Sequence, residues 1–389
     1  MRIFVLGAGA TGSLLAQLLA RQGHRVTVGD KDLERARRFL GKKSPLVIRE
    51  VNARNLWGIV RAARGCHLLV NAAPAVYNEI VLRAALRLRA HYLDLSSRLS
   101  RNPFKAEQLR FRRRFAQKNR AAVINAGIAP GLTNLLAKRG AEILTEVEAV
   151  HIRLYEGSES DDPLSQWSAE ESFGEAIARP RVVRGGRFHL EKRFSARELF
   201  RFPAPIGRVA TFLAAQDEVG TLPHFVPLRQ MDVKIGGNEM DRLRRWYRQG
   251  KLRGSRGLVA KRFPKTPTPR AVAKLIRRGA LQNARFAAAV VVRGVKNEQP
   301  RTIRWDCAFP TLYQIRLRGM LTTPIAYATA HLAALFVKHF PRELAGVYPP
   351  EALPAPTRQA ILAEARSRTF RITMKISRLK KPEEDEEER

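Results

Sequence analysis

Two periodicities divide the chain. Up to about Asn125, short apolar runs recur without alternation: RIFVL (Arg2–Leu6), HRVTVGD (His24–Asp30), CHLLVNAAP (Cys66–Pro74), HYLDLSS (His91–Ser97) and AAVIN (Ala121–Asn125). Such runs fit central parallel strands covered on both faces. Between them SLLAQLLARQG (Ser13–Gly23), the segment through Glu34 and Arg38, Tyr77–Leu88 and the basic Lys105–Lys118 predict helices, with Asp32 as a cap and Gly23 as a stop. Strands and helices alternating through short links predict an α/β domain, a Rossmann-type doubly wound parallel sheet.

Near Val147 the period becomes two. EAVHIRLYEG predicts a half-exposed strand, and the acidic SESDDPLSQWSAEESFGEA a partly helical crossing segment. VVRGGRFHLEKRF, with Gly185 and Gly186 at its middle, and Phe286–Phe309 predict hairpins, hence a second, α+β domain. KRFPKTPTPR (Lys261–Arg270) is expected to be an exposed connection. A helix over Thr323–Phe340, a loop GVYPPEALPAP, a helix over Thr357–Ser367 and an edge strand over Phe370–Leu379 follow. The acidic residues 380–389 are expected to be a disordered, solvating tail.

A length of 389 residues agrees with two domains. Charge adds a second question, because 71 Lys and Arg against 35 Asp and Glu give a formal +36, spread along the chain. Such a field attracts phosphate-rich partners and anionic surfaces without selecting among them. Zinc-finger spacing, RNP-type aromatic segments and a basic coiled-coil fork are all missing, so nucleic acid is not the expected partner. Peripheral membrane contact stays open. Cys66 and Cys307 alone exclude a disulfide-rich scaffold. The apolar start runs directly into a glycine loop and reads as a first strand, not a signal peptide, while Met320–Val337 reads as a buried helix, not a membrane span. A cytoplasmic location is expected.

The loop GAGATG joins the first strand to the first helix, and an acidic residue closes the second strand 18 residues beyond Gly12; that order marks a dinucleotide site. Gly7 would make the tight turn, Gly9 would let the backbone approach a pyrophosphate, and Gly12 would let helix pack on strand. Ala10 and Thr11 carry the N–H groups at the helix start. Asp30 would accept from a ribose 2′-hydroxyl, which favours NAD, whereas Lys31 and Arg35 keep NADP open. The strand exit Asn71, Ala72, Ala73 and Pro74, with Ser96 after the next strand, would line the same crevice.

No Ser-His-Asp arrangement, HExxH string or CxxC pair occurs, so no metal site is expected and hydride chemistry, in which the cofactor brings the electrons, is the best supported class. Five segments, GAGATG, NAAPAVYNEIVLRAAL with HYLDLSS, NAGIAPGLTNLLAKR, FPAPIG with TLPHF, and TTPIAYATAHLAALFVKHF with GVYPPE, resemble the saccharopine dehydrogenase-like NAD(P)-dependent oxidoreductases. The resemblance implies a dinucleotide domain over 1–126, an inserted substrate and dimerisation domain over 127–314, and a return to the first domain over 315–379. It also implies hydride transfer on a C–N bond, imine or secondary amine, of a small anionic, carboxylate-bearing, amino-acid-derived substrate, in a homodimer. It matches Gly7, Gly9 and Gly12 to the phosphate loop and Ala129-Pro130-Gly131 to the turn that opens the second domain. Glutamate-forming saccharopine reductases carry an aspartate and a tyrosine where Thr133 and Ser97 stand here. Ser97, Glu170 in QWSAEE beside Trp167, and His224 in TLPHF are the candidate catalytic residues, His151 in its alternating strand being a weaker one. A non-catalytic or regulatory dinucleotide-binding protein is the alternative, and a basic binder of nucleic acid or anionic surfaces the third reading.

Overall fold

The five apolar runs become buried strands because each has a neighbour on both sides. In a computed structural model, which describes residues 1–41, 43–161, 164–252 and 264–378 (backbone only at 169, 170, 368 and 369), they are β1 (Arg2–Leu6), β2 (Arg25–Asp30), β4 (Leu68–Asn71), β5 (His91–Asp94) and β6 (Ala121–Val123), joined in the same sheet by β3 (Val47–Glu50). They pair in parallel with β1 between β2 and β4, so the strand order reverses beside β1 and leaves a crevice at the carboxyl ends. Register places Leu6 opposite Asn71, which brings Gly7 against Ala72. The helices α1 (Ala10–Arg21), α2 (Leu33–Leu40), α3 (Leu56–Ala62) and α4 (Asn78–Leu88) connect these strands. Strand β3 and helix α3 depart from the periodic reading: β3 is an edge strand whose residues are mostly exposed, so it carries no apolar run. The basic segment before β6 is a 3-10 turn, Glu107–Phe111, followed by a short helix α5 (Arg112–Gln117), in place of one continuous helix.

Helix α6 (Leu132–Ala141) leads into the second domain, where β7 (Glu146–Ser160), β8 (Arg181–Arg184), β9 (Arg187–Leu190), β10 (Glu198–Phe202), β11 (Gly207–Leu213), β12 (Gln230–Gly236), β13 (Leu281–Lys296) and β14 (Gln299–Ala308) form a mixed sheet. Both expected hairpins are present, β8–β9 turning at Gly185 and Gly186 and β13–β14 at Asn297 and Glu298. Helix α6 lies on this sheet so closely that a Cβ at Gly140 would stand 2.7 Å from Val292 Cγ2. Helices α7 (Ala169–Ile177) and α8 (Asn238–Arg248) also belong to this domain, and α7 lies beside the crevice.

The return of the chain is split between the two sheets. The helix Pro324–Lys338 packs on α1, and Gly346–Tyr348, read from sequence as loop, is a seventh parallel strand, β15, beside β6. The final strand β16 (Arg371–Arg378) instead pairs with β14 in the second sheet, so residues 315–379 do not all return to the first domain. Its alternation lets it cover an otherwise open edge of β14. Residues 380–389 and Lys261–Phe263 lie outside the described residues; Pro264–Thr268 is irregular and a helix starts at Pro269. Among the described residues no helix is long and apolar enough to cross a membrane.

Candidate functional site

The crevice beside β1 opens into a cleft of about 1260 Å³ between the domains, and the glycine loop forms one end of it. Gly7 has φ +101°, and a Cβ there would lie 2.7 Å from the backbone of Ala72 and Ala73. A Cβ at Gly12 would lie 2.0 Å from the carbonyl oxygen of Gly7. These two glycines hold the loop against the β4 exit. Gly9 differs: its φ is −75°, and the nearest atom to an added Cβ is Arg35 Nη2 at 3.5 Å. Space over Gly9 is therefore left open. No side chain caps α1, so its first N–H groups, including those of Ala10 and Thr11, are free to meet an anion.

Asp30 is only 6% exposed, and both of its oxygens serve the backbone. Oδ2 accepts from the Ala8 N–H at 2.7 Å and Oδ1 from the Asp32 N–H at 3.0 Å. Asp32 in turn caps α2 through the Arg35 N–H at 2.8 Å. The carboxylates here thus shape the loop, while Lys31, Arg35 and Arg38 line the cleft around it. At the β4 exit, Ala72, Ala73 and Pro74 line the cleft, but Asn71 is buried. Its Nδ2 donates to Asn78 Oδ1 at 2.7 Å and its Oδ1 accepts from the Ala73 N–H at 3.1 Å, so it sets the shape of the exit. Ser96 also lines the cleft, and its carbonyl accepts from Asn78 and Gln108.

The far wall comes from the second domain. Ser97 stands at the junction: its Oγ donates to Asn125 Oδ1 at 2.8 Å and its N–H to Asp217 Oδ2 at 2.9 Å. Glu171 Oε1 accepts from the Ala75 N–H at 3.1 Å and ties α7 to the dinucleotide domain. Around them Glu156, Glu175, Asp217 and Arg181 line the cleft. Burial, opposed by Arg181 and the Ser97 N–H, leaves the Asp217 carboxyl raised to about 6. Burial, reinforced by Glu239, raises Glu156 to about 8, and burial with the charges of Asp217, Glu156 and Glu171 raises Glu175 well above the usual range. Arg181 is 9% exposed, and its Nε finds no partner among the described residues. Burial lowers its pKa, against the pull of Asp217 and Glu175.

Of the residues proposed from sequence, the glycine loop, Asp30, Lys31, Ala72 to Pro74, Ser96 and Ser97 are brought together. His224 is not: it is exposed, its Nε2 hydrogen-bonds the Phe104 carbonyl at 2.7 Å, and its ring lies against Phe188. The side chain of Glu170 lies outside the described residues, although its neighbours Ser168 and Glu171 line the cleft. Thr133 is buried beneath the site, where its Oγ1 donates to Glu218 Oε1 at 2.8 Å. His151 is paired with Asp232 at 3.1 Å on the second sheet. Sequence reasoning missed Glu156, Glu171, Glu175, Arg181 and Asp217. Only QWSAEE, singled out for Glu170, pointed near any of them.

Residues 3–128 match the family described as saccharopine dehydrogenase NADP binding domain. Among curated proteins none matches the chain in sequence. Among solved structures, the apo histidine-tagged saccharopine dehydrogenase (L-Glu forming) from Saccharomyces cerevisiae superposes with a TM-score of 0.70 at 11% identity, over 97% of this chain and 99% of that one. The DAP dehydrogenase of C. glutamicum in complex with DAP gives a TM-score of 0.45 at 12% identity, over 95% of this chain and 98% of that one. The yeast likeness extends the fold assignment through the second sheet and the returning C-terminal segment. Residues 3–128 thus match a saccharopine dehydrogenase NADP binding domain, and the whole chain has a saccharopine-dehydrogenase-like fold.

Proposed function

We propose that the protein is an NADP(H)-preferring oxidoreductase that acts on the C–N bond of a carboxylate-bearing amine or imine. The observation that carries this reading is that the glycine loop and the acid and arginine group of the second domain open onto one continuous cleft. The cofactor is judged from the residues that would hold it. Open space over Gly9 and the uncapped start of α1 suit a pyrophosphate. Asp30 is occupied by the Ala8 and Asp32 N–H groups, while the Arg35 guanidinium stands over the loop with Lys31 and Arg38 nearby. That arrangement suits a ribose 2′-phosphate better than a bare hydroxyl, which reverses the lean toward NAD that Asp30 gives from sequence.

When bound, the nicotinamide supplies or accepts the hydride. The chain's own part is to position the substrate and to manage one proton. Asp217, raised to about 6, is suited to hold a proton near neutrality and to exchange it with the reacting nitrogen. Ser97 is a positioning residue, since its N–H fixes Asp217 Oδ2 across the domain junction. Calorimetric titration with NADPH and NADH at physiological salt tests the reading, followed by nicotinamide absorbance with amine and 2-oxoacid pairs. Tighter binding of NADPH and turnover of at least one pair are expected. Saturable binding without turnover of any pair would instead favour a regulatory dinucleotide-binding protein.

A further inference from the structure

Behind the far wall of the cleft lies a side chamber of about 40 Å³, and the two spaces share Glu156, Trp167, Glu175, Ala178 and Ala215. Helix α7 is the partition: Gly174 and Ile177 line the cleft, Ser172 and Ala176 the chamber, and Glu175 both. The segment after β11 ties the chamber to the chemistry, because Ala214 and Ala215 line it and Asp217, two residues further on, lines the cleft. Two residues of chain span at most about 7 Å, so a side chain on the reacting carbon can enter the chamber while its nitrogen stays at Asp217. Among the described residues the remaining wall is mostly apolar, with Phe194, Leu213, Ile235, Met240 and Leu243. Arg193 and Arg242 also reach it. Arg193 Nε donates to the Ile177 carbonyl at 2.6 Å, and Arg242 stands 3.9 Å from Glu239 with its guanidinium over Trp246, its Nε lacking a partner among the described residues. Burial keeps the Glu156 and Glu175 carboxyls protonated near neutrality, so the partition adds no charge.

We propose that this chamber receives the side chain of the substrate, and that this side chain is short, branched and uncharged, as in an amine or imine derived from leucine or valine. The inference rests on the proposed oxidoreductase reading and names the substrate class for that site. Size supports it: on the scale on which one water takes about 10–15 Å³, a chamber of about 40 Å³ holds about three such groups, which suits a branched chain of about three or four carbons. Charge supports it as well. An ammonium entering the chamber would meet two arginines and protonated carboxyls, and a carboxylate would compete with Glu239 for Arg242. Either would leave its water behind, whereas an aliphatic group gains by the same transfer.

The full chain saturated with NADPH, which cannot oxidise an amine, is titrated calorimetrically with L-leucine, L-alanine, L-aspartate and L-lysine. L-leucine is expected to bind at least about tenfold more tightly than L-alanine, the scale of a few buried methylenes. It should exceed L-lysine, and L-aspartate of nearly its own shape, by at least about tenfold too. Ala214→Leu, which fills the chamber from its wall, should bring L-leucine to within about twofold of L-alanine, with NADPH affinity kept and the melting temperature no lower than the parent's. Met240→Ala, which enlarges the chamber, should raise L-phenylalanine relative to L-leucine by about tenfold, and it decides the matter if Ala214→Leu does not fold. L-leucine no tighter than L-alanine overturns the proposal, as does L-aspartate or L-lysine binding as tightly, or a leucine preference that survives unchanged in the folded variants. The titrations are repeated without NADPH. Failure of NADPH to bind counts against the proposed function, while the amino-acid series still decides the chamber; NADPH binding with turnover and no leucine preference removes the chamber alone.

Discussion

At the dinucleotide end of the cleft, Lys31, Arg35 and Arg38 surround a loop whose donors are backbone N–H groups; at the substrate end, Glu156, Glu171, Glu175 and Asp217 surround Arg181. The two ends also differ in burial, since Arg35 is exposed and Arg181 is enclosed. A net charge of +36 therefore describes the outer surface and one end of the cleft, not the place where the substrate would sit. Local field depends on which charges are buried together, because solvent screens the rest within about 10 Å at ordinary salt.

The sharpest way to separate the ends is to fill the space over Gly9. Gly9→Leu keeps an allowed backbone conformation and meets only a movable arginine, so the fold should survive with a melting temperature close to the parent's. NADPH affinity should fall by roughly 100-fold or more, since the side chain takes the place of the pyrophosphate. Gly12→Ala should do the reverse of what a pure ligand-site change does: its Cβ would collide with the Gly7 carbonyl, so the melting temperature itself should drop. Calorimetry and thermal melts on both variants check this, and equal NADPH affinity in Gly9→Leu would remove the loop from the site.

A smaller change sharpens the cofactor end. Arg35→Ala should reduce the preference for NADPH over NADH by about tenfold, the worth of one partly exposed guanidinium on a phosphate. NADH affinity should hardly move. If the ratio stays as in the parent, Arg35 does not read the 2′-position and Asp30 regains that role.

How far these ends were legible in the sequence follows from where their residues lie along the chain. The dinucleotide end is local: strand, loop, helix and Asp30 fall within the first 30 residues, and parallel strands buried on both faces leave unbroken apolar runs. Both hairpins were legible for the same reason, period-two alternation flanking a turn. By contrast β15 is three residues long and is a strand only because it pairs with β6, and exposed β3 has no apolar run. The substrate end is assembled from β7, α7, β8 and the segment after β11, so no spacing links Glu156 to Asp217. Arg181 is one of only three arginines buried among the described residues, with Arg153 and Arg358, and burial is decided by tertiary packing that no local pattern records. His224 had the right chemistry and the wrong place, a loop that packs against Phe104 and Phe188 outside the cleft.

The smallest effect concerns pH and tests whether the substrate end is as buried as it looks. Glu156 is raised from 4.5 to about 8, and Glu218, Glu351 and Asp94 in the core behind are raised to about 7, in each case first by burial. Above pH 6.5 the unfolded chain has already lost these protons while the folded protein still holds them. Raising the pH from 6.5 to 8 then strips protons from the folded state alone, so stability falls by up to about 1.4 kcal/mol per pH unit for each carboxyl still protonated. His91 and His331, lowered by burial to about 4, act oppositely, but only below 6.5, where the unfolded histidines become charged. Because four raised carboxyls outnumber the two lowered histidines, the melting temperature should fall from about pH 5 through pH 8, the scale in degrees being set by the unfolding entropy of a chain this long. Glu156→Gln should flatten the alkaline limb, because its amide has no proton to lose and can still meet the Trp167 side chain. An alkaline limb equally steep in Glu156→Gln would mean that Glu156 is ionised in the folded protein, and the acid wall would then be a hydrated surface open to any cation.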